Sequence, residues 1–176
     1  MKIISGKFKG KTIPFHPKFR SKPTKSITKE AIFNYLSDRF HWNDVLFLDF
    51  FAGTGNMGLE AISRGAYWVY FVDHDKTCQT FIQKIFLEWQ ISNATFLLLD
   101  YQDFIKKNNT FFDIIFVDPP YQKVPLNRLI PELLNFLKPK GTLILEHHFS
   151  DSFKNFEGFK EKRTFGISSF SIFEND

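Results

Sequence analysis

The sequence predicts an α/β fold of about seven strands, mostly parallel, closed at its carboxyl end by an antiparallel hairpin. Three observations carry this reading. Apolar runs at 45–50, 67–72, 94–99, 112–117 and 142–146 alternate with helical stretches, the βαβ pattern of a parallel sheet. The first run opens into a glycine-rich turn ahead of a helix. Two final extended runs, near 159–164 and 168–173, have no helix between them and read as a hairpin added to one edge.

In chain order, residues 1–25 are rich in Gly, Pro and Lys, with short extended pieces at 2–4 and 11–13 that pair as a hairpin. A helix follows over about 26–39, with Ile32, Tyr35 and Leu36 on its buried side. Between the later strands, Cys78, Phe81, Ile82, Ile85, Phe86 and Trp89 form an apolar stripe at helical spacing. Leu126, Leu129, Ile130, Leu133, Leu134 and Leu137 form another, in which Pro131 predicts a kink or a fresh helix start. Both stripes are packing faces, which assigns Cys78 to the core.

With 176 residues, 43% of them hydrophobic, the chain suits one globular domain. Within it, 1–25 reads as a basic arm and 26–176 as the domain body. No apolar run is long enough to span a bilayer and no secretory leader is visible, so a cytoplasmic protein is expected. The lone Cys78 forms no internal disulfide and offers no zinc spacing. The 24 phenylalanines accompany a general abundance of Phe and Lys and are not read as base-stacking platforms.

The net charge of +4 is unevenly placed. Residues 1–29 hold nine basic side chains (Lys2, Lys7, Lys9, Lys11, Lys18, Arg20, Lys22, Lys25 and Lys29) and no acidic one, leaving 14 basic and 19 acidic groups for the rest. A +9 leader on a −5 body points to a polyanion-binding arm on an ordinary enzyme body.

Four expected strands end in aspartate: Asp49, Asp73, Asp100 and Asp118. Ligands of open α/β sheets lie outside the carboxyl ends of the strands, so all four are expected to border one crevice. The first strand leads through Asp49-Phe50-Phe51 into Ala52-Gly53-Thr54-Gly55-Asn56-Met57-Gly58, a loop that lets a ligand approach the backbone. Asp73, 18 residues after Gly55, stands where a carboxylate accepts from both ribose hydroxyls. Together they predict an adenosine-containing ligand, which NAD would also satisfy.

The run Asp118-Pro119-Pro120-Tyr121 narrows the chemistry. Two prolines stiffen the backbone and remove two N–H donors, leaving carbonyls and a carboxylate as acceptors. Such a corner suits an amino group held through its protons. Asp118 and the Pro119 carbonyl would free the lone pair of an aromatic amine, and Tyr121 would stack on the base. Methyl transfer from S-adenosylmethionine to an exocyclic base amine follows, with the base unpaired or flipped out. Adjacent strand residues point to opposite faces, so His147 and His148 are not expected to share a metal.

At these residues the sequence resembles the RsmD family of bacterial 16S ribosomal RNA guanine-N2 methyltransferases. The likeness runs through Ile3-Ile4-Ser5-Gly6, Lys9-Gly10-Lys11, Pro23-Thr24, Lys29 to Asn34, Asp49 to Gly55, Gly58 to Ala61, Phe116 to Tyr121 and Glu146-His147. It implies a Rossmann-like class I methyltransferase fold and transfer to guanine N2. The alternative is an adenine-N6 or other exocyclic amino methyltransferase acting on DNA or another RNA. It further implies that Asp73 holds the ribose, that Asp100 and Tyr101 contact the adenine, and that the loop from Asp49 through Ala52, Gly53, Thr54, Gly55 and Gly58 faces the methionine portion. Lys7, Lys9, Lys11, Arg20 and Lys22 would grip 16S rRNA or the small ribosomal subunit, with a monomer acting without metal. Lys22 precedes Pro23 where the family carries arginine, and Ser26-Ile27 stand where it carries an Asp-Arg pair. Lysine does not reproduce arginine's bidentate fork, so contacts there differ.

Overall fold

A computed structural model describes residues 1–14, 26–120 and 124–175. Its elements run α1 (Ser26–Ser37), β1 (Leu46–Phe50), α2 (Asn56–Arg64), β2 (Trp68–Asp73), α3 (Lys76–Glu88) and β3 (Ala94–Leu98). Then come α4 (Tyr101–Lys107), β4 (Phe112–Val117), α5 (Leu126–Leu134), β5 (Leu137–His148), β6 (Phe159–Phe165) and β7 (Ser168–Glu174). The sheet order is β3-β2-β1-β4-β5-β7-β6. The first five strands are parallel, while β7 runs antiparallel to both β5 and β6. This is the seven-stranded, Rossmann-like arrangement that the sequence predicts.

Strand alternation divides the interior into two cores. Phe47, Val69, Phe71, Ile114, Phe116 and Ile144 face α1, α2, α3 and the leader. Leu48, Val72, Ile115, Val117, Leu143 and Leu145 face α4 and α5 on the other side. Both faces of the central strands are therefore covered, which explains their continuous apolar runs.

The leader pieces do pair, through an isolated antiparallel bridge between Lys2 and Thr12. Cys78 is buried on α3, as its stripe predicts. Two expectations change. First, α5 is one helix across Pro131, with no fresh start. Pro131 is the sixth of nine helical residues, and its missing N–H removes a single turn bond. Second, β5 begins at Leu137, earlier than the apolar run suggests and inside the span assigned to the helical stripe. An irregular register between Phe112 and Ile114 accommodates the polar Lys138-Pro139-Lys140 stretch.

Candidate active site

The register places the acidic side chains. Asp49 pairs with Phe71 of β2 and with Phe116 of β4, and Phe116 pairs with Ile144 of β5. Side chains recur on one face every second residue, so Asp73, Asp118 and Glu146, each two residues beyond these partners, lie on Asp49's side of the sheet. All four carboxylates stand at the carboxyl ends of adjacent strands. Asp100, after the end of β3, is exposed and its carboxylate accepts the Gln102 N–H at 2.9 Å, capping α4. Tyr101 is the first residue of that helix and packs partly against the α4 and α5 core.

Asp49 is 2% exposed and accepts the Gly58 N–H at 2.8 Å. Burial pushes its carboxyl up to about 7, assisted by Asp73 and opposed by the Gly58 hydrogen bond. A Cβ at Gly58 would stand 2.3 Å from the Phe71 ring and 3.0 Å from the Asp49 carboxylate, so the loop closes tightly only over glycine. Gly53 and Gly55 have φ of 52° and 72°, the left-handed conformation that turns the strand into α2. Gly53 donates to Asp73 at 3.0 Å, which ties the loop to the end of β2. Beside Gly53 the space is open, with only the Phe51 carbonyl at 4.0 Å from a hypothetical Cβ. Ala52 is anchored by its N–H to the Val72 carbonyl, and the Thr54 hydroxyl lies 3.8 Å from the Met1 sulfur.

Asp118 is held at the end of β4 by its N–H to the Phe50 carbonyl. Burial, then Glu146, then Asp49 raise its carboxyl well above the ordinary carboxylate range. Glu146 is 6% exposed. Pro119 is buried and Pro120 exposed, and both line a cavity of about 440 Å³ together with Val124, Leu126, Glu146 and His147. That volume falls within the roughly 300–1,000 Å³ of small-ligand sites. His147 donates from Nδ1 to the His148 carbonyl and accepts from the Ser171 hydroxyl at Nε2, and burial lowers its pKa, so it is a neutral strut between β5 and β7. His148 is exposed, as alternation requires. Among the described residues no group of three or more His, Cys, Asp or Glu is arranged to hold a metal ion. Tyr121, Arg20 and Lys22 lie outside the described residues.

The leader meets α2 through its backbone. Ile4 and Ser5 donate N–H groups to the Glu60 carboxylate at 2.8 and 3.1 Å, and Phe8 donates to the Ser63 hydroxyl at 2.9 Å. Gly6 sits so close that a Cβ would overlap the Ser63 carbonyl. Lys29, counted with the polyanion-binding cations, is instead buried. Its Nζ lies 3.1 Å from Glu60 and donates to the Asn56 side chain at 3.0 Å and the Lys2 carbonyl at 2.8 Å. Burial lowers its pKa while Glu60 opposes that shift. Lys7, Lys9 and Lys11 are exposed, with Lys7 over the Phe8 ring and Lys11 over the Phe8 and Trp89 rings.

Two features of the site escape a reading by residue type. Glu146 belongs to the Glu146-His147 pair of the family likeness, but only the β4–β5 register sets it beside Asp118. The Lys29, Glu60 and Asn56 network is signalled only by an acid embedded in the apolar run Met57-Gly58-Leu59-Glu60-Ala61-Ile62.

Comparison with known proteins agrees with this architecture. A family model described as "Conserved hypothetical protein 95" matches residues 1–174. The ribosomal RNA small subunit methyltransferase D of Haemophilus influenzae is 32% identical, covering 99% of this chain and 94% of that protein. The Escherichia coli protein of the same name is 30% identical over 81% of this chain and 69% of its own length. The solved structure of a hypothetical protein from Thermus thermophilus superposes with a TM-score of 0.86 at 26% identity, covering 99% of both chains. The chain therefore belongs to the family of the ribosomal RNA small subunit methyltransferase D proteins.

Proposed function

We propose that the protein transfers a methyl group from S-adenosylmethionine to the N2 amine of a guanine in small-subunit ribosomal RNA. The observation that carries this reading is the Asp118-Pro119-Pro120 corner, set beside the glycine loop and opening on a cavity. Family membership adds the rRNA small-subunit methyltransferase activity named for its relatives.

The loop suits the cofactor. Open space beside Gly53, the left-handed turns at Gly53 and Gly55, and Asp73 at the next strand end form a cradle for an adenosine with a flexible tail. When bound, S-adenosylmethionine supplies a sulfonium-activated methyl group. Asp73 would accept from the ribose hydroxyls, and Ala52 through Gly55, with Asp49 bracing Gly58 beneath them, would line the methionine portion. Asp100 and the Tyr101 backbone would border the adenine.

At the other end, Asp118 and the Pro119 carbonyl accept the two amine N–H groups, which favours a pyramidal nitrogen with its lone pair exposed. Pro120 stiffens the corner, and Tyr121 stacks on the flipped base. Burial, with Glu146 and Asp49 beside it, disfavours the Asp118 charge, and positive charge developing on the nitrogen offsets that, so its electrostatic help is greatest in the transition state. Asp118 then receives the proton that the methylated nitrogen sheds. Residues 1–25 serve as the RNA-binding arm and 26–176 as the catalytic body, with Lys7, Lys9, Lys11, Arg20 and Lys22 on phosphates.

The test is mass-spectrometric mapping of small-subunit rRNA after incubation with protein and isotopically labelled S-adenosylmethionine. One labelled N2-methylguanosine is expected; labelled N6-methyladenosine, or no label, overturns the reading. A Lys7→Ala, Lys9→Ala, Lys11→Ala variant should bind RNA more weakly, with a salt dependence shallower by roughly 0.7–0.9 for each phosphate it no longer neutralises. An unchanged slope removes the leader from the interface.

A further inference from the structure

Guanine and adenine differ at the ring nitrogen beside the amine. Guanine presents N1–H as a donor adjacent to its N2 amine, so its edge offers a row of donors. Adenine presents N1 as a bare acceptor next to its N6 amine. A site with one carboxylate holds either amine equally well. A second carboxylate placed next to the first accepts N1–H from guanine and repels the N1 lone pair of adenine.

This chain has that second carboxylate. Val117 pairs with Leu145, so Asp118 and Glu146 follow at the same level of neighbouring strands and on the same face. Glu146 is 6% exposed and lines the cavity that Pro119 and Pro120 bound. Its charge is felt by Asp118.

Resting on the methylation reading above, we propose that Glu146 is the specificity-determining residue, accepting the N1–H of the guanine whose amine Asp118 holds. The base then enters with its donor edge toward the ends of β4 and β5. Val124 and Leu126 supply the apolar wall on the far side of the cavity.

The experiment compares full-length protein with Glu146→Gln and Glu146→Ala on an rRNA fragment whose mapped target position carries guanine or 2-aminopurine. The second base keeps the 2-amino group but has an acceptor at N1. The unaltered protein should prefer guanine by about 100-fold or more in kcat/KM. Glu146→Gln, whose amide donates an N–H, should lose roughly 10–100-fold on guanine and narrow the preference by at least 10-fold. Glu146→Ala should lose activity on both bases and lose the preference. Loss of the O6 acceptor in 2-aminopurine is common to all three proteins, so the change in ratio isolates N1. Cofactor titration and melting confirm that each variant is folded. A guanine to 2-aminopurine ratio unchanged by either substitution overturns the role of Glu146 and leaves the methylation reading standing. Failure of the unaltered protein to methylate any guanine overturns both.

Discussion

The carboxyl ends of β1 and β4 are neighbours, and each carries an aspartate on the same side of the sheet, yet the two are built oppositely. At β1, Asp49 is sealed, its oxygen takes the Gly58 N–H, and the loop above it is tied to Asp73 and braced from below through Asn56 and Lys29. At β4, Asp118 leads into two prolines that carry no N–H, and Pro119 and Pro120 line an open cavity. One aspartate commits an oxygen to a backbone N–H of the protein, and the other, on the function proposed above, meets the substrate amine. On that reading, identical residues at equivalent strand ends divide into a support and a reacting group according to what the following backbone offers.

Exchange experiments break or sharpen that contrast. The largest effect is expected at β4: Asp118→Ala should reduce methyl transfer by about 1,000-fold while cofactor affinity, read by isothermal titration, changes by only a few-fold. A parallel loss of cofactor binding would erase the distinction. Next, Lys29→Ala should destabilise the fold by about 3–5 kcal/mol in denaturant titrations, because it leaves Glu60 buried without its lysine. A shift below about 1 kcal/mol would mean that the backbone N–H groups and Arg64 satisfy Glu60 alone. Gly58→Ala should cost about 1–3 kcal/mol and lower the melting temperature by several degrees, through collision with the Phe71 ring.

A further effect concerns pH. A carboxyl whose folded pKa is raised from 3.8 to about 7 contributes stability fully present below about pH 4 and lost as pH climbs through 7. Asp49→Asn keeps an acceptor for Gly58 and abolishes that loss. Its unfolding free energy, measured from pH 4 to 8, should fall less steeply than that of the unaltered chain. Curves that stay parallel would show that Asp49 does not titrate in this range.

Much of this was legible in the chain. Strands buried on both faces read as apolar runs, and glycines at a strand-to-helix turn read as a loop, because each follows from local geometry. Asp73, Asp100 and Asp118 are singled out by position relative to those elements, and the structure adds that Asp100 caps α4. The placement of Glu146 beside Asp118 and the contacts of Lys29 with Glu60 and Asn56 depend on register and on residues far apart, which no window of sequence contains. The early start of β5 was hidden because Lys138-Pro139-Lys140 breaks the apolar run while the backbone continues across an irregularity.

The docking of the leader carries one more consequence. Glu60 and Ser63 hold it by main-chain N–H groups, which every residue other than proline possesses. Ile3, Phe8 and Ile13 add buried apolar contacts and Gly6 a close approach to Ser63, but the exposed side chains between them take no part in these hydrogen bonds. If they grip RNA as proposed, its exposed lysines can be exchanged, added or removed as the target changes shape, while the anchorage to the rest of the protein persists. The leader behaves as an interchangeable grip on a fixed mount.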